Sequence, residues 1–122
     1  MGLNDNEGIR HIEGKQRLAS FLTGLGHFVE LEKEIQTPEL LEEFNHDYVQ
    51  PDLLVDGILC VYIDGEEHKR KGVRRKDMRK DKCLLSRGYS IARESKDDTL
   101  KQPLIELLEN ITAQVVRGPF YI

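Results

Sequence analysis

A three-layer α/β sandwich around a small mixed sheet of about four strands is the fold class this sequence predicts. Three observations carry that reading. Segments with apolar residues at 3.6-residue spacing alternate with short apolar runs of strand length. Two of those runs, 53–55 and 58–64, flank Asp56-Gly57, a hairpin signal. The second run is apolar at consecutive positions from Ile58 to Ile63, as in a central strand covered on both faces. The 122 residues suit one domain, 1–122, with enough surface to bury for a true core.

The elements follow in order. Residues 7–25 predict a helix, because Leu18, Phe21, Leu22 and Leu25 share one face. Gly26 suits its left-handed cap. Projected backwards, the same face reaches Gly14, with His11 and Lys15 at its borders and Glu13 nearly opposite. Residues 27–35 predict a strand, with Phe28, Val29, Leu31 and Ile35 apolar and Glu30, Glu32 and Glu34 on the wet side. Thr37-Pro38 starts a short helix or turn through about Phe44. The hairpin is expected to close through a three-residue Val55-Asp56-Gly57 loop, pairing Leu54 with Ile58. That register puts Asp52, Tyr62 and Asp64 on one sheet face. Residues 74–87 predict a helix with Met78, Leu84 and Leu85 buried and Asp77 and Asp81 on or beside that stripe; Arg74 or Lys80 would pair with the acids. Gly88 caps this helix and 89–93 form the next strand. A last helix is expected over about 99–117, starting at Asp97-Asp98-Thr99 and carrying Pro103 in its first turn. The apolar tail 118–122 can pack on the core or on a second subunit.

Charge is unevenly placed. The net of −4 hides a stretch, 69–82, with nine cations (Lys69, Arg70, Lys71, Arg74, Arg75, Lys76, Arg79, Lys80, Lys82) against Asp77 and Asp81. Residues 1–68 carry 4 Lys/Arg against 15 Asp/Glu. A local basic patch is what phosphate binding needs, whatever the total. No apolar run approaches the ~20 residues of a membrane helix, and the polar start Met1–Arg10 lacks the pattern of a signal peptide. Cys60 and Cys83 stand alone in apolar runs, so buried free thiols and a reducing, cytoplasmic setting are expected.

The chemistry-bearing residues gather around one strand. Val61-Tyr62-Ile63 runs into Asp64-Gly65, with His68 four residues after the aspartate; Pro51-Asp52 lies upstream and the basic stretch downstream. Neighbouring strands lie ~4.8 Å apart, so Asp52 and Asp64 on one face can share a divalent cation, Mg²⁺ or Mn²⁺. An imidazole at His68 suits proton transfer near neutral pH. Together they point to metal-assisted cleavage of a phosphodiester. The basic segment is equally what a nucleic-acid-binding module without catalysis would carry. It would also serve a regulatory protein whose basic helix grips an acidic partner.

The order of elements, with Pro51-Asp52, Asp64-Gly65-x-x-His68, the acid-bearing helix 77–81 and Gly88-Tyr89 through Arg93, resembles the PD-(D/E)xK nuclease superfamily. Within it, the chain is most similar to the branch of very-short-patch repair and EDxHD homing-type endonucleases. The resemblance implies a restriction-endonuclease-like core and a metal-dependent endonuclease acting on DNA. It implies Asp52 and Asp64 as metal-binding acids, His68 as the catalytic histidine and Asp81, with Asp77 beside it, as the helical acid. Lys69, Arg70, Lys71, Arg74, Arg75, Lys76, Arg79 and Lys80 would hold DNA. Two positions depart from the pattern. Tyr62 stands where an acid is usual, and the backbone carbonyl of Ile63 would take over as metal ligand. Lys15 stands where the first helix carries a glutamate. A homodimer would let so small a nuclease span two strands.

Overall fold

The computed structural model describes residues 3–65 and 71–117, with side chains excepted at 3–8, 10, 71–76 and 117. Its elements run α1 (Leu3–Gly24), β1 (Val29–Leu31), β2 (Ile35–Gln36), a 3₁₀ turn (Pro38–Leu40), α2 (Leu41–Phe44), β3 (Tyr48–Val49), β4 (Leu53–Val55), β5 (Leu59–Asp64), α3 (Lys71–Ser86), β6 (Ser90–Ser95), α4 (Lys96–Lys101) and α5 (Leu104–Arg117). Four strands form one sheet in the order β1-β4-β5-β6, the first two pairings antiparallel and β5–β6 parallel. A second, two-stranded sheet joins β2 to β3.

Alternation along the strands sorts the core into two layers. Leu53, Val55, Val61, Ile63 and Ala92 face one way and meet Leu18 and Leu22 of α1 and Leu107 and Ile111 of α5. Leu54, Cys60 and Ile91 face the other way and meet Cys83 and Leu84 of α3, with Leu40 and Val49 from the small sheet region. The three-layer mixed α/β architecture is the one expected, and β5 is covered on both faces as its unbroken apolar run requires. Cys60 and Cys83 are buried free thiols. No helix among the described residues is long and apolar enough to cross a membrane.

Local chemistry explains where the elements stop. Gly26 (φ 100°) and Gly88 (φ 91°) end α1 and α3 with the same cap, in which His27 N–H donates to Leu22 O and Tyr89 N–H to Leu84 O, both at 3.1 Å. Three expectations are corrected. The strand foreseen over 27–35 is split, because Glu32 adopts φ 51° and its N–H turns to donate to Asp52 O at 3.0 Å. Residues 35–36 then pair with 48–49 instead of extending β1. The final helix is also two. Gln102, held extended before Pro103 (ψ 147°), closes α4, and Pro103 O accepts the first bonds of α5. α4 starts earlier than foreseen, with the Ser95 hydroxyl capping Asp98 N–H at 3.1 Å.

The hairpin register is the third. Asp56 (φ 54°) and Gly57 (φ 71°) are both left-handed, and Ile58 N–H donates to Val55 O at 3.1 Å, the geometry of a type I′ turn. Pairing then resumes at Val55–Leu59 and Leu54–Cys60, so Ile58 is an extra residue on the second strand. The expected Leu54–Ile58 pair is displaced by two positions. Two positions preserve the facing, so Tyr62 and Asp64 still look toward α3.

Candidate functional site

Two clusters of charge sit at the end of the sheet where β5 finishes, one on each face. The first lies on the α1 side. Asp52 precedes β4, and its Oδ2 accepts a hydrogen bond from Ile63 N–H at 2.7 Å. Its other oxygen, Oδ1, stands 3.3 Å from Nε2 of His11 on α1. One turn along α1, Lys15 is 6% exposed and forms an ion pair with Glu32. That bond and the lysine's charge hold the Glu32 carboxyl below its ordinary range. Gln50 donates to Glu32 O at 2.8 Å and pins the bend that presents this acid.

The second cluster lies on the α3 side and centres on Arg93 of β6. Its guanidinium binds both oxygens of Asp81 at 2.9 Å, both of Asp64 at 3.2 and 3.3 Å, and reaches Asp77 at 3.9 Å. It also stacks 4.6 Å from the centre of the Tyr62 ring, on the residue beside it in the parallel register. Burial opposes Arg93's charge, and Asp81, Asp64 and Asp77 outweigh it, raising the pKa above its usual value. Burial first, then Cys60 and Asp81, push the Tyr62 hydroxyl upward, so it stays a neutral phenol. Asp81, only 1% exposed, thus has a cation from β6. A cleft of about 300 Å³ opens beside this group, walled by Phe44, His46, Tyr48, Tyr62, Lys80 and Arg93.

The expected site residues fall as follows. Asp64, Asp77 and Asp81 are brought together, by Arg93. Asp52 is at the same sheet end, but its described partners are Ile63 N–H and His11, whereas Asp64 is held by Arg93. The alternation that was to align the two carboxylates applies only inside a strand, and β4 begins one residue after Asp52. Lys15 lies on α1 and is paired with Glu32. His68, Lys69 and Arg70 lie outside the described residues, as do the side chains of Lys71, Arg74, Arg75 and Lys76. Arg79 is exposed and pairs with Glu43 at 2.9 Å, and the Lys80 ammonium lies 5.2 Å from the centre of the Phe44 ring.

Two participants were not foreseen. Arg93 was taken only as the end of a strand, yet a buried acid at Asp81 demands a cation, and Arg93 shares the facing of Tyr62. His11 was placed at the border of the α1 apolar face, which is where a side chain can reach the sheet edge.

The donor chemistry suits a small divalent cation. Such ions are often held by one or two carboxylates with water and substrate oxygens. Asp52 has one oxygen fixed and the other directed at His11. Ile63 C=O points to the same side of β5 as the N–H that bonds Asp52, because both groups of a residue project to one side of an extended strand. Among the described residues no three His, Cys, Asp or Glu side chains form a closed ligand set. Comparisons of the chain with protein-family models, with curated proteins and with solved structures find no match.

Proposed function

We propose that this chain is a divalent-metal-dependent DNA endonuclease, working at the end of β5 on the α1 side. The observation that carries the reading is the Asp52 carboxylate, anchored on Ile63 N–H and facing His11, at the strand end that leads into the basic stretch. Asp52 and the Ile63 carbonyl are the residues that would hold Mg²⁺ or Mn²⁺, with Asp64 joining only where Arg93 releases it. When bound, such an ion polarises the phosphate and acidifies a water. The chain's own residues supply the rest. The Asp52–Ile63 bond fixes the carboxylate before substrate arrives, the preorganisation catalysis needs. The cations of 69–80 bind the phosphate backbone by charge, with little reading of sequence. His68 is the proposed proton-transfer group.

One observation favours a second reading, a nucleic-acid-binding module that does not cleave. Arg93 already neutralises part of Asp64, Asp77 and Asp81, which is what a site built for structure would show. Supercoiled plasmid incubated with Mg²⁺ or Mn²⁺ separates the two. The endonuclease reading expects nicking that EDTA stops and Asp52→Ala abolishes. Salt-sensitive binding without nicking establishes the second reading, and absence of binding at low salt removes both.

A further inference from the structure

We propose that His11 and Asp52 form a binding site for a divalent transition-metal ion, completed by the Ile63 carbonyl and water. This rests on the reading above and names the class of ion its site takes.

The spacing is the first support. Bonds from such an ion to imidazole nitrogen or carboxylate oxygen are about 2.0–2.2 Å. Two donors on one ion therefore stand roughly 3.0–3.4 Å apart, the lower end for octahedral and the upper for tetrahedral arrangement. His11 Nε2 and Asp52 Oδ1 are 3.3 Å apart. They can take one ion between them with little movement of either side chain.

Rigidity is the second. Asp52 is held through its other oxygen by Ile63 N–H at 2.7 Å, which leaves Oδ1 as the presented donor. His11 stands on α1, whose Leu18 and Leu22 are locked into the core and whose next turn is tied to the sheet edge by Lys15–Glu32. That ion pair also engages the one described cation of this cluster other than the imidazole, so Lys15 has an acid of its own beside Asp52. Access is the third. The side chains of His11 and Asp52 are 33% and 18% exposed, open enough for water and a phosphate oxygen to fill the remaining positions.

The donor type then selects the ion. Carboxylate, carbonyl and water alone suit Mg²⁺, whereas an imidazole favours borderline metals such as Co²⁺, Ni²⁺ and Zn²⁺, with Mn²⁺ accepting either set. The expectation is one bound Co²⁺ or Mn²⁺ per chain, held at least tenfold more tightly than Mg²⁺.

Titration of the full chain with CoCl₂, MnCl₂ and MgCl₂, followed by calorimetry and by the visible absorption of Co²⁺, tests this without any substrate. His11→Ala should weaken Co²⁺ binding tenfold or more and change the Co²⁺ spectrum, with circular dichroism confirming the fold. Asp52→Asn should do the same. Equal Co²⁺ affinity in wild type and His11→Ala overturns the site. So does absence of Co²⁺ binding at millimolar concentration, which would make the contact an ion pair only. Co²⁺ binding that needs His11, without plasmid cleavage, removes the endonuclease reading and leaves the site. Cleavage that persists in His11→Ala with unchanged Co²⁺ binding does the reverse.

Discussion

Glu94→Gln should make the protein more stable at pH 8 and change little at pH 4.5. Glu94 lies on β6, 3% exposed, and its Oε1 accepts from Asn110 Nδ2 on α5 at 2.8 Å. Burial, and secondarily the charge of Asp98, push its carboxyl from the usual 4.5 up to about 7, although the Asn110 bond pulls the other way. A carboxyl whose folded pKa is raised keeps its proton in the folded state while the unfolded chain loses it. Its favourable contribution is therefore full below pH 4.5 and disappears as pH rises to about 7. Two and a half pH units at ~1.36 kcal/mol each give a loss on the order of 3 kcal/mol. Glutamine is neutral throughout and keeps the oxygen that Asn110 needs, so the variant lacks this loss. Urea unfolding of both proteins from pH 4.5 to 8.5 reads it directly, because every other titrating group cancels in the difference. The two curves should coincide near pH 4.5 and diverge by about 3 kcal/mol at pH 8, with the variant above. Parallel curves across the range would refute the burial argument.

Two further substitutions probe the packing around the site. A Cβ on Gly14 would stand 2.3 Å from Thr99 Oγ1 of α4, so Gly14→Ala should cost about 1–3 kcal/mol in urea unfolding, and Thr99→Ala in the same chain should recover much of it. Arg93→Met removes the bidentate partner of an aspartate that is 1% exposed and should cost about 3–5 kcal/mol in urea unfolding at pH 7. A loss below 1 kcal/mol would mean that Arg93 is not what keeps Asp81 in the interior.

The layers were legible because periodicity records burial. The apolar run ending at Ile63 marked a strand covered on both faces, although Ile58 at its start is exposed and lies outside the pairing, and Leu18 and Leu22 marked a core face. The site was half legible for the same reason. Asp77 and Asp81 fell on a buried stripe, which marked them as acids needing partners, but Arg93, a partner of both, comes from β6, and a contact between distant elements leaves no local signature. The bends were illegible. Nothing in the composition of Glu32 announces a left-handed backbone, which arises because its N–H and C=O are claimed by Asp52 and Gln50. The bounds of β4 were read correctly as 53–55, but the strand's alternation was extended to Asp52, one residue before it, where it does not apply.

The described charged side chains are arranged differently on the two faces of β5, and this bears on where a phosphate would go. On the α3 side, one guanidinium meets three carboxylates, Asp64, Asp77 and Asp81, with Lys80 at the cleft wall. A phosphate entering there approaches carboxylates, and each pair of like charges at ~4 Å costs about 4 kcal/mol at an effective dielectric of 20. On the α1 side, Lys15 is set against Glu32, and His11 against Asp52. With the imidazole neutral, as a metal ligand has to be, one carboxylate is in excess among these four described side chains, and a bound divalent cation would reverse that sign. An ion at His11 and Asp52 would therefore make this edge attractive to a phosphate. Under the proposed function the reacting phosphate would sit at the α1 face, with Arg93 tying Asp64 of β5 and Asp81 of α3 to β6. On either proposed reading the basic stretch would bind nucleic acid, and only the ion would draw a phosphate to Asp52.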